Sequence, residues 1–403
     1  MAGVLTAYML HQQGINYALI EAEKVFGGVS GKTTAKITVQ HGLIYDKLIR
    51  QFGTQKARQY YDINLIALER YRKIAEEIPC DFTVQDSFVY ALKHRKKLDK
   101  ELRALERIGV QAEFSDQLSL PMPVSGAIRM RNQAQFHPLK LAAGILPGLH
   151  IYENTRALAY DGKNILTDRG KIEAKKIIAA THFPIFNKHG AYFLKLYQHR
   201  SYVLALENVP KIDGMYVDES GKGLSFRQWG DLVLLGGGAH RTGKKGGGWS
   251  ELRSFVINHW SGAREKAHWA TQDCMSLDGV PYIGQYGKET PNLYVATGFN
   301  KWGMTGAMAA ALVLSDLVLE KENPYADLFS PTRTILRPQL AANGIEAILY
   351  LLTPTRPRCP HMGCALKWNP QEHSWDCPCH GSRFSEKGEL LTGPANADLK
   401  SPP

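Results

Sequence analysis

The start of the chain combines a helical and an extended pattern of apolar positions. Apolar residues recur at helical spacing from residue 3 to about residue 13, and Gly14 supplies a C-terminal stop. The run 15–20 then predicts a buried strand that ends at Glu21. A helix, a glycine, a strand and an acid in this order are typical of the second half of a dinucleotide-binding βαβ unit, in which the acid binds the ribose hydroxyls of the adenosine. Gly3 would then be the third glycine of the G-x-G-x-x-G fingerprint.

The first strand and the first two glycines of that fingerprint do not occur before Gly3 in the sequence. Without them the pyrophosphate loses its tight turn and part of its cradle at the helix N-terminus. Two expectations stay open at this point: a truncated start, or a degenerate dinucleotide site.

A loop rich in small and hydroxyl-bearing residues follows, over residues 27–38. Its backbone N–H groups can approach a phosphate or a flavin closely, because small residues leave the backbone accessible. We therefore expect cofactor contacts at Ser30, Thr33 and Thr34. The alternative is a plain surface loop.

Two later strands are expected to lie beside the same cofactor. Residues 176–182 form a buried apolar run that ends in small residues, and residues 293–298 form a second one. A loop and a long helix to about residue 320 follow the second run. The N-terminus of such a helix stabilises the negative charge that a flavin gains on reduction, by roughly 0.3–1 kcal/mol. The candidate contacts here are Gly298, Gly303, Met304 and Thr305.

The segments between these strands predict a second, mixed sheet. Helical patterns over 65–78 and 97–108 precede strand-like patterns over 201–206 and 231–236. We expect this sheet to lie over the flavin and to form the substrate side. Arg227 is a candidate substrate contact, because a guanidinium can bind a carboxylate through two parallel hydrogen bonds. A structural or surface ion pair is the alternative.

Length, composition and charge indicate the number of domains and whether nucleic acid or a membrane is an expected partner. With 403 residues the chain can form two or three domains. Its formal charge is +11, but the Lys and Arg are scattered, so we expect solvated basic faces and no nucleic-acid partner. No secretory leader opens the sequence, and Ser315 and Asp316 interrupt its longest apolar helix. We expect a soluble cytoplasmic protein without a membrane span.

Two Cys and two His near the C-terminus have the types and spacing of a metal site. Cys359 and His361 form a C-x-H pair, and Cys377 and His380 form a C-x-x-H pair. A [2Fe–2S] cluster with two Cys on one iron and two His on the other is the Rieske arrangement. A structural zinc site is the alternative, because zinc also binds Cys and His. The two differ in colour, since only the iron–sulfur cluster absorbs visible light.

The complete loops, CPHMGC at 359–364 and CPCHGS at 377–382, resemble those of the Rieske iron–sulfur family. This resemblance implies a [2Fe–2S] cluster held by the four residues named above. Cys364 and Cys379 stand directly beside the ligand positions and are expected to form a disulfide that joins the two loops.

The remaining cofactor segments together carry a second resemblance. Their residues are Gly3, Glu21, the loop 30–38, the segments 135–138 and 278–284, and Gly298. Over roughly residues 1–325 they resemble the FAD-dependent amine and amino-acid oxidase family of the D-amino acid oxidase or glycine oxidase type. With the C-terminal motif, the whole chain resembles a bacterial family of FAD-dependent oxidoreductases that carry a Rieske module.

These resemblances imply an α/β fold. A Rossmann-like FAD-binding domain would be interleaved with a mixed-sheet substrate domain and followed by a small, abbreviated all-β Rieske domain. A buried helix near 340–352 is expected to dock the Rieske domain. The predicted boundaries are 1–330 for the oxidoreductase domain (FAD part about 1–60, 130–185 and 268–325; substrate part about 61–129 and 186–267), 331–357 for a linker and docking segment, and 358–403 for the Rieske domain.

The resulting expectation is an FAD-dependent oxidoreductase that oxidises a small organic substrate, an amine or amino acid. Its [2Fe–2S] cluster would exchange electrons with an electron-transfer protein, in either direction. Two alternatives stay open: an electron-transfer protein with a degenerate flavin site, and an oxygen-using amine oxidase in which the cluster is structural.

Overall fold

The computed structural model describes residues 1–186, 189–221, 223–355 and 357–400. The helices in these residues are α1 (Ala2–Gln12), α2 (Tyr45–Glu77), α3 (Arg95–Arg107), α4 (Pro138–Ile145), α5 (Tyr192–Lys195), α6 (Gly248–His259), α7 (Gly303–Val318), α8 (Ala326–Phe329) and α9 (Pro338–Leu352). The strands are β1 (Leu19–Ile20), β2 (Lys36–Ile37), β3 (Thr83–Ala91), β4 (Glu113–Ser115), β5 (Gly126–Gln135), β6 (Ile151–Tyr152), β7 (Ala157–Tyr160), β8 (Asn164–Thr167), β9 (Gly170–Glu173), β10 (Ile177–Ala179), β11 (Leu196–Glu207), β12 (Met215–Asp218), β13 (Ser225–Trp229), β14 (Leu232–Arg241), β15 (Arg264–Ser276), β16 (Tyr282–Gln285), β17 (Leu293–Thr297), β18 (Lys367–Asn369), β19 (Ser374–Asp376), β20 (Arg383–Ser385) and β21 (Leu390–Thr392).

Two pieces of sheet form the side of the molecule that contains the N-terminal helix. In one piece β1 and β6 run parallel, and in the other β10 and β17 run parallel with β16 antiparallel at the edge. The main hydrophobic core joins α1, α2 and α7. Helix α7 is buried on nearly every side from Met304 to Ala311, which explains why its sequence is apolar around its whole circumference.

A large mixed sheet forms the second layer. Its strand order is β15-β11-β14-β13-β12-β3-β5-β2, with β4 also paired to β5. Strands β12 and β3 run parallel, and the other neighbours run antiparallel. Tyr202, Phe226 and Leu235 from this sheet share a hydrophobic cluster with Leu252 of α6. The helix therefore covers apolar side chains of the sheet.

The C-terminal part is a small antiparallel sheet in the order β18-β19-β20-β21. Its core contains cysteine side chains, Leu366, Phe384 and Tyr350, the last supplied by α9. Such a small sheet gains part of its hydrophobic core from a preceding helix. Within the described ranges, no helix is both long enough and apolar enough to cross a membrane.

The predicted fold class is confirmed: an α/β molecule with an interleaved mixed sheet and a small all-β C-terminal unit. Local bounds differ from expectation. Within the run 15–20, only β1 pairs with another strand. The helix expected over 65–78 is the second half of α2, which begins at Tyr45 and is kinked at Gly53 (φ +84°). The domain boundaries stay predictions, and 401–403 of the predicted Rieske domain lie outside the described residues.

The expectation of a buried docking helix is wrong in one respect. Helix α9 exists, but Asn343 and Tyr350 are its buried residues, whereas Ile345 is 68% exposed and Leu352 is 76% exposed. The apolar run predicts burial, but apolar composition alone does not determine which faces of a helix are covered. The helix contacts the rest of the chain through one narrow face.

Candidate functional site

A cavity of about 2070 Å³ lies between the two pieces of parallel sheet, α7 and the mixed sheet. Its walls come from sequence segments that are far apart, which is typical of a cofactor site at the carboxyl ends of parallel strands. Most of the predicted FAD contacts lie in these walls: Gly3, Glu21, Ser30, Thr33, Thr34, Gly303 and Met304.

Gly3 stands where α1 packs closely against strand β1 and the end of β10. A Cβ atom at this position would lie 3.4 Å from the Cβ of Ala180 and 3.7 Å from Cδ1 of Leu19. The third glycine of the dinucleotide fingerprint has this role, because it permits close packing of helix and strand. Glu21 follows β1 directly, at the position of the ribose-binding acid.

Gly298 and Thr305 do not line the cavity. Gly298 has φ +73°, and an added Cβ would lie 3.2 Å from Leu196 Cδ2 and 3.3 Å from Ser276 Cβ. Thr305 is fully buried, and its Oγ1 accepts a hydrogen bond from Thr38 N and donates one to Thr38 O, each at 3.2 Å. Both residues hold the loops around the cavity, so a direct cofactor contact by either stays a prediction.

Cationic side chains in the cavity wall were not singled out from the sequence. Burial, followed by the charge of Arg227, lowers the pKa of Lys36 to about 7. Burial also lowers the pKa of Lys301, whose Nζ donates to the Gly221 carbonyl at 2.8 Å. Burial lowers the pKa of His182, and its Nε2 is buried without a hydrogen-bond partner among the described residues. Their positions inside the predicted cofactor segments were the signal that could have identified them.

These residues fit an anionic dinucleotide. Buried basic groups and an unsatisfied ring nitrogen are costly unless a ligand compensates them, and a diphosphate or a reduced flavin carries the matching negative charge. Ser30, Thr33 and Thr34 add hydroxyl groups in the same wall. When bound, FAD would supply a two-electron acceptor, while the protein supplies orientation and electrostatics.

Arg227 is not brought to the cavity. It lies on β13, is 3% exposed, and donates through an Nη atom to the Phe136 carbonyl at 3.1 Å. Burial lowers its pKa to about 10, an effect opposed by the charge of Asp81. The contact with Phe136 supports a structural role, and no cavity contact supports the predicted role in substrate binding.

The four predicted cluster ligands come together in the C-terminal unit. Cys359 is 2% exposed and Cys377 is 1% exposed, and their thiols are within hydrogen-bonding reach of each other. The rings of His361 and His380 lie 4.9 Å apart at a T-shaped angle. The two thiols are thus close to each other and the two imidazoles are close to each other, whereas ligation of one [2Fe–2S] cluster by all four stays a prediction.

The histidines are in the form that binds metal. Burial lowers the pKa of His361 to about 4, and burial together with the charge of His361 lowers the pKa of His380 to about 3. Nε2 of His380 lies 3.1 Å from the Phe193 carbonyl, and its Nδ1 is buried without a partner in the described part of the chain. A neutral imidazole with one nitrogen engaged and one available fits an iron ligand.

A disulfide joins Cys364 and Cys379, the pair expected from the sequence. The sulfur atoms of this pair and of Cys377 all lie within 4.8 Å of one another. Because disulfide sulfurs are not thiolates, Cys377 is the member of this group that can bind iron. Assignment of the complete ligand set stays a prediction.

The C-terminal unit is attached to the flavin side through its second ligand loop. Gln198 Nε2 donates to the His380 carbonyl at 2.6 Å, Gln272 Nε2 donates to the Gly381 carbonyl at 2.8 Å, and Arg241 Nε donates to the Pro378 carbonyl at 3.0 Å. Residues of this unit also form part of the cavity wall: Glu372, Arg383, Leu391, Thr392, Gly393, Ala395 and Asn396.

A buried ion network strengthens the same interface. Arg200 of β11 pairs with Glu372, with Nε 2.9 Å from Oε1, and the Tyr202 hydroxyl donates to the same carboxylate at 2.9 Å. Arg383 lies 2.9 Å from both Glu372 and Asp376. Each buried charge therefore has an opposite partner, as burial of charge requires.

Comparison with known proteins agrees with both centres. The sequence model of the family described as FAD dependent oxidoreductase matches residues 1–317. The chain belongs to this family. The model described as Rieske [2Fe-2S] domain matches residues 352–403. The protein is therefore an FAD-dependent oxidoreductase of the amino-acid oxidase type with a C-terminal Rieske domain, and its cofactors are FAD and a [2Fe–2S] cluster.

One relative matches the whole chain, and solved structures match the fold over about four fifths of it. The Bacillus subtilis (strain 168) protein YhfW, described as a Rieske 2Fe-2S iron-sulfur protein, is 35% identical over 99% of this chain and 91% of its own length. The fold resembles glycine oxidase from Geobacillus kaustophilus (TM-score 0.69, 19% identity, 82% of this chain and 96% of that one). It also resembles L-proline dehydrogenase from P. horikoshii (TM-score 0.68, 16% identity, 82% and 94%).

Proposed function

We propose that the protein oxidises a small amine or amino acid at FAD and exchanges the electrons with a partner protein through its Rieske cluster. The observation that supports this proposal is the contact between the C-terminal unit and the walls of the flavin cavity. The C-terminal unit forms part of the cavity wall, and its second ligand loop is hydrogen-bonded to the strands β11 and β15 beside that cavity. A cluster with a purely structural role would not need this placement.

The substrate class rests on the charges of the cavity. Lys301 and Asp273 both lie in its wall, and the charge of Asp273 opposes the effect of burial on the pKa of Lys301. Asp273 also accepts a hydrogen bond from the Ser201 hydroxyl at 2.9 Å. One acid and one base in a single cavity suit a substrate with both charges. The fold neighbours named as glycine oxidase and L-proline dehydrogenase support the same class.

The chain's own residues would bind and orient such a substrate. Lys301 can hold a carboxylate, Asp273 can hold an ammonium group or accept its proton, and the apolar wall beside them excludes water. FAD in this cavity would accept the hydride, so no strong acid–base pair of the protein is required. The cluster would pass electrons singly, because it is a one-electron carrier.

An absorption spectrum tests the proposal directly. The purified protein should show a flavin band in addition to iron–sulfur absorption, and anaerobic addition of the right amine or amino acid should bleach the flavin band. A screen of amino acids, beginning with glycine and proline, would identify the class. Iron–sulfur absorption alone, with no bound flavin after reconstitution with FAD, would contradict the enzyme and favour an electron-transfer protein with a degenerate site.

Measurement of peroxide release distinguishes the proposal from the remaining alternative, an oxygen-using amine oxidase with a structural cluster. If the cluster carries the electrons, His361→Ala should abolish substrate-dependent reduction of a one-electron acceptor. If the protein is an oxygen-using oxidase with a structural cluster, peroxide should form at an unchanged rate in His361→Ala. Flavin absorbance measured in both proteins controls for loss of the cofactor.

A further inference from the structure

The two predicted histidine ligands pack against aromatic side chains of the flavin part. The ring of Phe183 lies 6.3 Å from the ring of His361 and 6.1 Å from the ring of His380. On the other side of His380, the Phe193 ring lies 6.4 Å away, and the Phe193 carbonyl is 3.1 Å from Nε2. The two imidazoles are therefore enclosed by aromatic side chains of the flavin part.

Phe183 contacts both centres. It is 2% exposed, yet it belongs to the wall of the FAD cavity, as does its neighbour His182. Both residues follow β10, the strand that runs parallel to β17 beneath the cavity. In the described residues, Phe183 is the aromatic side chain that lines the cavity and also contacts both imidazole rings. Phe183 therefore contacts both the cavity and the two predicted histidine ligands.

The cluster is held in this position by buried hydrogen bonds. Gln272 Nε2 donates to the Gly381 carbonyl and to Oε1 of Gln198, the latter at 2.5 Å. Nε2 of Gln198 donates to the His380 carbonyl. Movement of the C-terminal unit away from the cavity would leave several buried polar groups unpaired, which is unfavourable.

We propose that electrons pass between the FAD cavity and the cluster inside one chain, through the histidine end of the cluster and across Phe183. This inference rests on the function proposed above and names its internal route. One electron moves at a time: the reduced flavin is oxidised by one electron, and one iron of the cluster is reduced from ferric to ferrous. The second electron follows after an external one-electron carrier protein has reoxidised the cluster, and the protons of the substrate leave to solvent from the cavity.

The first test uses the unmodified holoprotein and no substrate. A light pulse in the presence of a photoreductant reduces the flavin, and visible absorbance then follows reduction of the cluster. The rate constant should stay the same when the protein is diluted tenfold, because both centres belong to one molecule. A rate that falls in proportion to protein concentration would show transfer between molecules and would overturn the proposal.

The second test replaces the ring itself. In Phe183→Leu the apolar contact is largely kept but the aromatic ring is lost, and we expect cluster reduction to slow roughly tenfold or more, since the protein controls the contact between its cofactors. The matched control is Phe186→Leu. Phe186 is buried and lines the same cavity, but its recorded ring contacts are to Tyr160 and Tyr286 and not to the histidines.

Spectra separate the possible causes of a slow rate. The electron paramagnetic resonance spectrum of the reduced cluster and the flavin absorbance should be unchanged in both variants. An unchanged transfer rate in Phe183→Leu, with both cofactors present, would overturn the route while leaving the proposed function intact. Absence of flavin from the unmodified protein would overturn both.

Discussion

The two loops that carry the predicted cluster ligands share a backbone turn but have different surroundings. In each loop the glycine N–H donates to the carbonyl of the first cysteine, at 2.8 Å for Gly363 to Cys359 and at 2.9 Å for Gly381 to Cys377. Both glycines have positive φ, +78° and +83°. The two turns can therefore present a cysteine and a histidine in the same way.

Outside the turn the resemblance ends. In the first loop Pro360 is exposed and Met362 is 39% exposed, whereas in the second loop His380 is 4% exposed and its backbone is bonded to β11 and β15. The second loop is bonded to the flavin part along its backbone, whereas the first loop approaches the flavin part at His361 and exposes Pro360 and Met362. If the proposed electron transfer between the cavity and an external carrier is right, this difference gives the cluster one inner and one outer side.

Both loops should be required for binding the cluster, and we expect loss of a cysteine ligand from either loop to have the largest effect of the variants considered. Cys359→Ser and Cys377→Ser should each abolish the [2Fe–2S] absorption and the resonance signal of the reduced cluster, because the cluster needs a thiolate from each loop. Flavin absorbance should persist in both. Cys80→Ser is the control, since Cys80 is buried in the core of the flavin part. A full cluster signal in either ligand variant would show that the ligand set is wrong.

The attachment of the C-terminal unit to the flavin part should depend on the buried ion network. The side chain of Arg200 is 5% exposed and that of its partner Glu372 is 9% exposed. Arg200→Ala should lower the free energy of unfolding by about 3 kcal/mol, the lower end of the range for breaking a buried pair, because Arg383 still contacts Glu372. Denaturant unfolding followed by cluster absorbance measures this loss.

The control for Arg200→Ala is Arg253→Ala. Arg253 pairs with Glu265 at 2.9 Å, but its side chain is 46% exposed, so the loss should be about 0.2–1 kcal/mol. Equal losses in the two variants would mean that the interface does not hold the C-terminal unit in place.

The two equivalent glycines compare the loops most directly. Because both glycines have positive φ, alanine at either position would be forced into a left-handed conformation, which costs about 1–2 kcal/mol of stability. At Gly363 an added Cβ meets no atom within 4 Å, but at Gly381 it would lie 2.7 Å from Cβ of Gln198. Gly381→Ala should therefore lose about 1–3 kcal/mol more than Gly363→Ala, through overpacking at the interface. Equal melting temperatures would contradict the asymmetry between the loops.

The sequence predicted the cluster loops well because their chemistry is local. Cys359, His361, Cys377 and His380 lie in two short segments, and the turn that presents them needs only nearby glycines. The disulfide pair, Cys364 and Cys379, could be found for the same reason. The side of the cluster that faces the flavin could not be predicted, since it depends on contacts from Phe183, more than a hundred and fifty residues earlier in the chain.

The cavity residues also divide into those that a local motif predicts and those that only the tertiary structure reveals. Gly3 and Glu21 could be predicted because a βαβ unit is a local motif, whereas Lys301 and His182 became part of the site only through tertiary packing. The predicted role of Arg227 in substrate binding stays a prediction. The residue type of Arg227 suits a carboxylate, but the register of β13 directs its guanidinium to the Phe136 carbonyl. The sequence located helix α9 correctly but not its burial, because only Asn343 and Tyr350 of this helix are fully buried.

The smallest expected effect is the pH dependence of the same interface. Burial alone would raise the pKa of Glu372, but the charges of Arg200 and Arg383 outweigh it and hold the pKa below its usual range. A group with a lowered pKa in the folded state stabilises the fold above its unfolded pKa of about 4.3, and this contribution is lost as the pH falls through the folded value. In Glu372→Gln the melting temperature should be lower at neutral pH and should fall less steeply in acid than in the unmodified protein. Glu69→Gln, on the exposed surface of α2 (48% exposed), should keep the original profile. If Glu372→Gln keeps that profile as well, the carboxylate does not contribute to holding the second loop against the flavin part.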